Sequence, residues 1–122
     1  MTMDPALARE RLRRISMSLP EASEVEAWGD PTYRVRNKIF AMEKGAGTEV
    51  WVKGAPGAQE AMIATAPDCY FVPPYVGSKG WIGARLQAVA DWDELTDLIH
   101  ESYSLIAPKK LAALMEQAPP SE

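Results

Sequence analysis

Cysteine and histidine each occur once in the 122 residues, at Cys69 and His100, and this scarcity excludes much chemistry. A lone cysteine forms no internal disulfide, and neither the cysteine clusters of structural zinc nor the histidine pairs of most His-based metal sites can be assembled. A lone histidine leaves one candidate for a dyad or triad. Asp97 and Ser104 lie near His100 only at helix-surface spacing, which is not triad geometry. Apolar runs are only a few residues long, against the roughly 20 that a membrane-spanning helix needs. The Arg-bearing N-terminus lacks the apolar core of a signal peptide, so a cytoplasmic protein without a membrane partner is expected. Neither G-x-x-x-x-G-K-[ST] nor G-x-G-x-x-G occurs; the Gly45-Ala46-Gly47 and Gly77-Ser78-Lys79-Gly80 segments share only glycines with phosphate loops. No nucleophile stands beside a base and no acid–base pair stands out, so neither an enzyme nor a cofactor is expected.

What the chain does have is ordinary for a globular protein: 47% hydrophobic and 25% charged residues, enough to bury a core in one domain without staples. A single domain over residues 1–115 is expected, with a disordered tail at 116–122. The net charge of −4 argues against a general nucleic-acid binder held by phosphate neutralisation, but the charge is unevenly spread. Residues 31–86 carry seven basic and four acidic side chains, whereas residues 1–30 carry four against six and residues 87–122 two against seven. The middle is basic and the ends are acidic.

Asp4-Pro5 has the form of a helix start, and Ala8, Leu12, Ile15 and Leu19 recur at helical spacing until Pro20. From Val25 to Val52, short runs rich in Tyr, Val, Ile, Phe and Trp are broken by Gly29-Asp30-Pro31, Asn37-Lys38 and Gly45-Ala46-Gly47, which predicts an antiparallel meander. Pro56 to Thr65 reads as a short helix. Strands are expected around Tyr70–Val72 and Trp81–Leu86. Asp91 with Glu94 has the form of a capping box opening a long helix, and Pro108 opens a last one through Met115. The fold class is therefore α+β, an antiparallel sheet with helices packed on one face.

Pro67 to Leu86 concentrates costly residues: Tyr70, Phe71, Tyr75 and Trp81, the Pro73-Pro74 pair, and three glycines. Cys69 beside Tyr70 and Phe71 reads as a buried, inert thiol. If Val50, Val52, Ile82 and Ala84 face the helices, alternation puts Trp51, Lys53, Trp81, Gly83 and Arg85 on the opposite face, which is then aromatic and basic. Arg34, Arg36, Lys53, Lys79 and Arg85 are the candidate phosphate contacts, and Tyr75, Trp51 and Trp81 the candidate stacking platforms. The competing assignment puts both tryptophans in the core and leaves the charges to solubilise a sheet.

Three stretches carry a family resemblance: Gly29-Asp30-Pro31-Thr32-Tyr33-Arg34-Val35-Arg36-Asn37-Lys38-Ile39-Phe40-Ala41; Phe71-Val72-Pro73-Pro74-Tyr75-Val76-Gly77-Ser78-Lys79-Gly80-Trp81-Ile82-Gly83; and Asp91-Trp92 with Ser102-Tyr103 and Ala107-Pro108-Lys109. On these the chain resembles the MmcQ/YjbR family of small bacterial proteins. The resemblance implies the YjbR/CyaY-like fold and a "double wing" shape described as DNA-binding-like. The iron role of the frataxin side of this fold group, which uses an acidic first helix, does not transfer to a first helix with four arginines. The expectation is a non-enzymatic DNA-binding domain using Arg34, Arg36, Lys53, Tyr75, Lys79, Trp81 and Arg85. The other expectation is a module that binds a protein, a homodimer partner or a small ligand around Pro73–Trp81.

Overall fold

In the computed structural model, which describes residues 3–117, ten main elements follow the order α1 (Pro5–Met17), β1 (Ser23–Ala27), β2 (Asp30–Val35), β3 (Lys38–Lys44), β4 (Glu49–Lys53), α2 (Ala58–Thr65), β5 (Tyr70–Phe71), β6 (Trp81–Arg85), α3 (Trp92–Ile106) and α4 (Lys109–Gln117). The six strands form one sheet in the order β1-β2-β3-β4-β6-β5, with every neighbouring pair antiparallel. The first two turns of the β1 to β4 meander are two-residue turns at Trp28-Gly29 and Arg36-Asn37, all four residues with positive φ, the combination found in type I′ hairpin turns.

Helices gather on one face. Ala8 and Leu12 of α1, and Leu95, Ile99 and Tyr103 of α3, pack on Tyr33, Val35, Val50, Val52, Ile82 and Ala84 of the sheet. A bulge between Tyr33 and Arg34 breaks the alternation opposite β3, so that Phe40 and Ala41 both enter this core. Ser102, fully buried on α3, ties the helix to two strands: its Oγ donates to Phe40 O at 2.6 Å and accepts from Lys53 N at 2.9 Å. Tyr103 packs edge-on against Phe40, and its hydroxyl donates to Pro20 O at 2.6 Å.

The observed elements depart from expectation at their ends. The second helix starts at Ala58, after Gly57 at φ 86°, instead of at Pro56. At α3 the capping box does not close: Asp91 Oδ1 accepts from Asp93 N at 2.9 Å, while Glu94 accepts instead from the Tyr70 hydroxyl at 2.8 Å. A partner on β5 has drawn the Glu94 side chain away from its own helix. The last helix extends to Gln117, two residues into the expected disordered tail; the rest of that tail lies outside the described residues. Cys69 is buried as expected, and burial pushes its thiol above the ordinary range.

Candidate functional site

The strand register decides what the second sheet face carries. Glu49 pairs with Arg85, Trp51 with Gly83 and Lys53 with Trp81, so the alternation read from the sequence holds and these side chains share the face away from the helix-packed core. Thr32 opposite Met42, Arg34 opposite Ile39, and Met42 opposite Trp51 extend the same face across β2 and β3. Trp51, Trp81 and Met42 form a small cluster there, joined by Ile39, Phe71 and Val76, and by Ile106 from the last turn of α3. Phe71 lies over Gly83, where any Cβ would run into its ring, so the glycine is required for this close approach.

Both competing assignments of Trp51 and Trp81 are partly correct. They are on the open face, yet only 8% and 9% exposed, because neighbouring side chains cover them. Neither ring is therefore open as a stacking platform, Trp51 no more than Trp81, and the competing core assignment describes their packing better. The exposed rings are Tyr75, at 93%, and Trp28, at 73%. Each sits at a backbone position that disfavours a bulky residue. Trp28 has φ 55° in its hairpin turn; Tyr75 has φ 70° at the centre of a three-residue turn closed by Val76 N donating to Pro74 O at 2.7 Å. Strain of this kind, of order 1–3 kcal/mol per residue, concentrates where function needs a side chain presented.

Lys44 completes the face. Its Nζ stands 5.4 Å from the Trp28 ring centroid and 5.0 Å from that of Trp51, while Trp51 Nε1 donates to Glu49 at 3.0 Å. The Arg85 guanidinium stacks 4.5 Å over Phe71 and donates to Asp68 O at 3.3 Å. Arg34 donates to Thr32 Oγ1 at 3.0 Å and Asn37 Oδ1 at 3.4 Å. None of Arg34, Lys44, Lys53 and Arg85 is in an ion pair among the described residues. Ion pairs occupy Arg9, Arg13, Arg14 and Arg36 instead. Trp28 and Lys44 were missed in the sequence. A Trp-Gly pair does not announce a type I′ turn, whereas Lys44 was within reach of the alternation that places Met42.

Arg36 stands apart from the other candidates. It occupies the β2–β3 turn, where Nε and Nη2 bind the two carboxylate oxygens of Glu21 at 2.6 and 3.1 Å, and this bonding holds the Glu21 carboxyl below its ordinary range. Lys79 lies off the sheet, on the 72–80 connection, and lines, together with Lys53, a cleft of about 280 Å³ beside the end of β4. His100 is half-buried on α3, and burial lowers its pKa. Among the described residues no three His, Cys, Asp or Glu side chains come together as a metal site, and no helix is long and apolar enough to cross a membrane.

One antiparallel sheet with helices on one face and unpaired cations among rings on the other defines the class, an α+β sheet protein with one face left open. The chain belongs to the YjbR family, whose model matches residues 17–105. Its fold is similar to the crystal structure of Deinococcus radiodurans protein DR2400, a DUF419 domain, with a TM-score of 0.76 at 17% identity over 98% of this chain and 95% of that one. No curated protein matches the chain.

Proposed function

We propose that this chain is a non-enzymatic domain that binds single-stranded nucleic acid, DNA in the first instance, on its helix-free sheet face. The observation that carries the reading is the segregation of charge. Four of the five arginines on α1 and at the far hairpin turn are paired with Glu43, Glu24, Glu10 and Glu21, and the fifth, Arg11, lies over the Trp92 ring, whereas Arg34, Lys44, Lys53 and Arg85 are in no ion pair among the described residues, on a face where the described strands place Asp30 and Glu49 as counter-charges. Unpaired cations around apolar rings suit a phosphate backbone whose bases lie on aromatic surface. Trp28 and Tyr75 supply exposed rings at positions where a smaller residue would fit the backbone better. A single strand suits a sheet face better than a duplex does, because stacking requires unpaired bases.

Fluorescence anisotropy of a labelled single-stranded oligonucleotide tests the reading. Binding at low salt is expected, with log K falling linearly against log salt at about 0.7 per neutralised phosphate. Absence of binding at low salt, or binding indifferent to salt, overturns it.

A further inference from the structure

The cleft lies at the end of the β4–β6 strand pair, where Lys53 faces Trp81, and is built by two separate segments. Lys53 and the loop that follows it form one wall, and the Lys79-Gly80 turn forms the other, with Pro56 and Leu105 adding apolar surface. These walls are fixed to each other. Gln59 Nε2 donates to Gly77 O at 2.9 Å and to Trp81 O at 2.6 Å, pinning the turn that carries Lys79 to α2. Gly54 N donates to Gly80 O at 3.2 Å, and a Cβ on Gly54 would come within 2.9 Å of that same oxygen, so the two backbones meet with no room between them. Neither lysine is in an ion pair among the described residues; the one acid in the lining is Glu60, an exposed residue.

We propose that this cleft is a binding site for a phosphomonoester, with Lys53 and Lys79 as its two cationic contacts. Two lysines that line one cleft from different segments match the roughly two negative charges of a phosphomonoester at neutral pH better than the single charge of a carboxylate or a phosphodiester. The apolar wall of Pro56 and Leu105 lies against the group that bears the phosphate, and a cleft near 280 Å³ is at the small end of the range for such ligands. The site goes beyond strand binding on the open face and stands without it. The phosphate can belong to a free nucleotide or to the 5′ end of a strand.

The test is a two-dimensional NMR titration of the full chain with adenosine monophosphate, with a 5′-phosphorylated oligonucleotide, and with the same oligonucleotide bearing a 5′-hydroxyl. Amide shifts at residues 54–57 and 79–80 with either phosphorylated probe, absent with the 5′-hydroxyl strand, support the site; a response to the nucleotide identifies a free ligand, and a response to the oligonucleotide alone identifies a strand end. Lys79→Ala, at an exposed position, should weaken this binding about tenfold, Glu60→Gln should tighten it, and Lys110→Ala should leave it unchanged. No shifts at these residues with either phosphorylated probe, or equal weakening by Lys79→Ala and Lys110→Ala, overturns the proposal. Shifts confined to the sheet face with all oligonucleotides overturn it while leaving strand binding intact; cleft shifts without sheet-face shifts do the reverse.

Discussion

Lys44 holds its ammonium 5.4 Å from the centre of the Trp28 ring, so a residue at the end of β3 steadies a tryptophan that the β1–β2 turn presents to solvent. The turn itself favours asparagine at this position, because asparagine tolerates positive φ and tryptophan does not. Trp28→Asn is therefore predicted to leave the melting temperature unchanged or raise it, since relief of backbone strain offsets the lost cation–π contact of about 0.5–1 kcal/mol. The same variant should weaken oligonucleotide binding by about 1–3 kcal/mol, the worth of one stacked base. Thermal unfolding and anisotropy on one sample read both effects. Lower stability with unchanged binding would make Trp28 a structural residue.

Removing charge should separate the open face from the far hairpin. Arg34→Ala, Lys44→Ala and Arg85→Ala are each predicted to weaken binding and to reduce the salt slope by about 0.7, because each removes one phosphate contact. Arg36→Ala should leave the slope unchanged, since its guanidinium is already bonded to Glu21. A salt titration of the four variants distinguishes them.

Ser102 joins Phe40 O and Lys53 N through one buried hydroxyl. Ser102→Ala leaves both backbone groups without that partner in the core and is predicted to destabilise the fold by about 1–3 kcal/mol in urea unfolding. As Lys53 contributes to both proposed sites, the loss should extend to binding only as far as the strand end loosens.

Glu43 is only 1% exposed on the helix side of β3, its Oε2 2.8 Å from Arg9 Nε. Burial raises its pKa above the ordinary 4.5, and the nearby Arg9 charge opposes that rise. The native state thus holds this proton more tightly than the unfolded chain does. Its contribution to stability is fully present below the unfolded pKa and is lost as pH climbs through the raised native one. Urea unfolding as pH rises from the ordinary 4.5 should show this decline in the native protein, none of it in Glu43→Gln, and a larger one in Arg9→Met, which keeps the helix but removes the opposing charge.

Most of the sheet was legible because its period survives wherever pairing is regular. Val50-Trp51-Val52-Lys53 and Trp81-Ile82-Gly83-Ala84-Arg85 alternate in sequence and in register, so the composition of the open face followed directly. The family resemblance extended this to the whole architecture. Legibility ended where alternation ends. The bulge beside Arg34 turns both Phe40 and Ala41 inward, and Trp28 sits in a turn with no strand parity. It also ended at partners distant in the chain: Glu94 satisfies Tyr70 instead of its own helix, and Ser102 serves backbone groups 49 and 62 residues away. The exposure of Trp51 and Trp81 stayed open in the sequence because parity gives the face of a side chain but not what its neighbours cover.

The most direct test of the open face as a nucleic-acid surface is an NMR map of the protein with and without a short 5′-hydroxyl single-stranded oligonucleotide, including the indole signals of Trp28, Trp51 and Trp81. The account predicts salt-sensitive shifts at the Trp28 indole, at Lys44 and Arg85, and at Arg34 and Lys53, with α1 and α3 unchanged. Shifts centred on α1 and α3, or none at low salt, would contradict it.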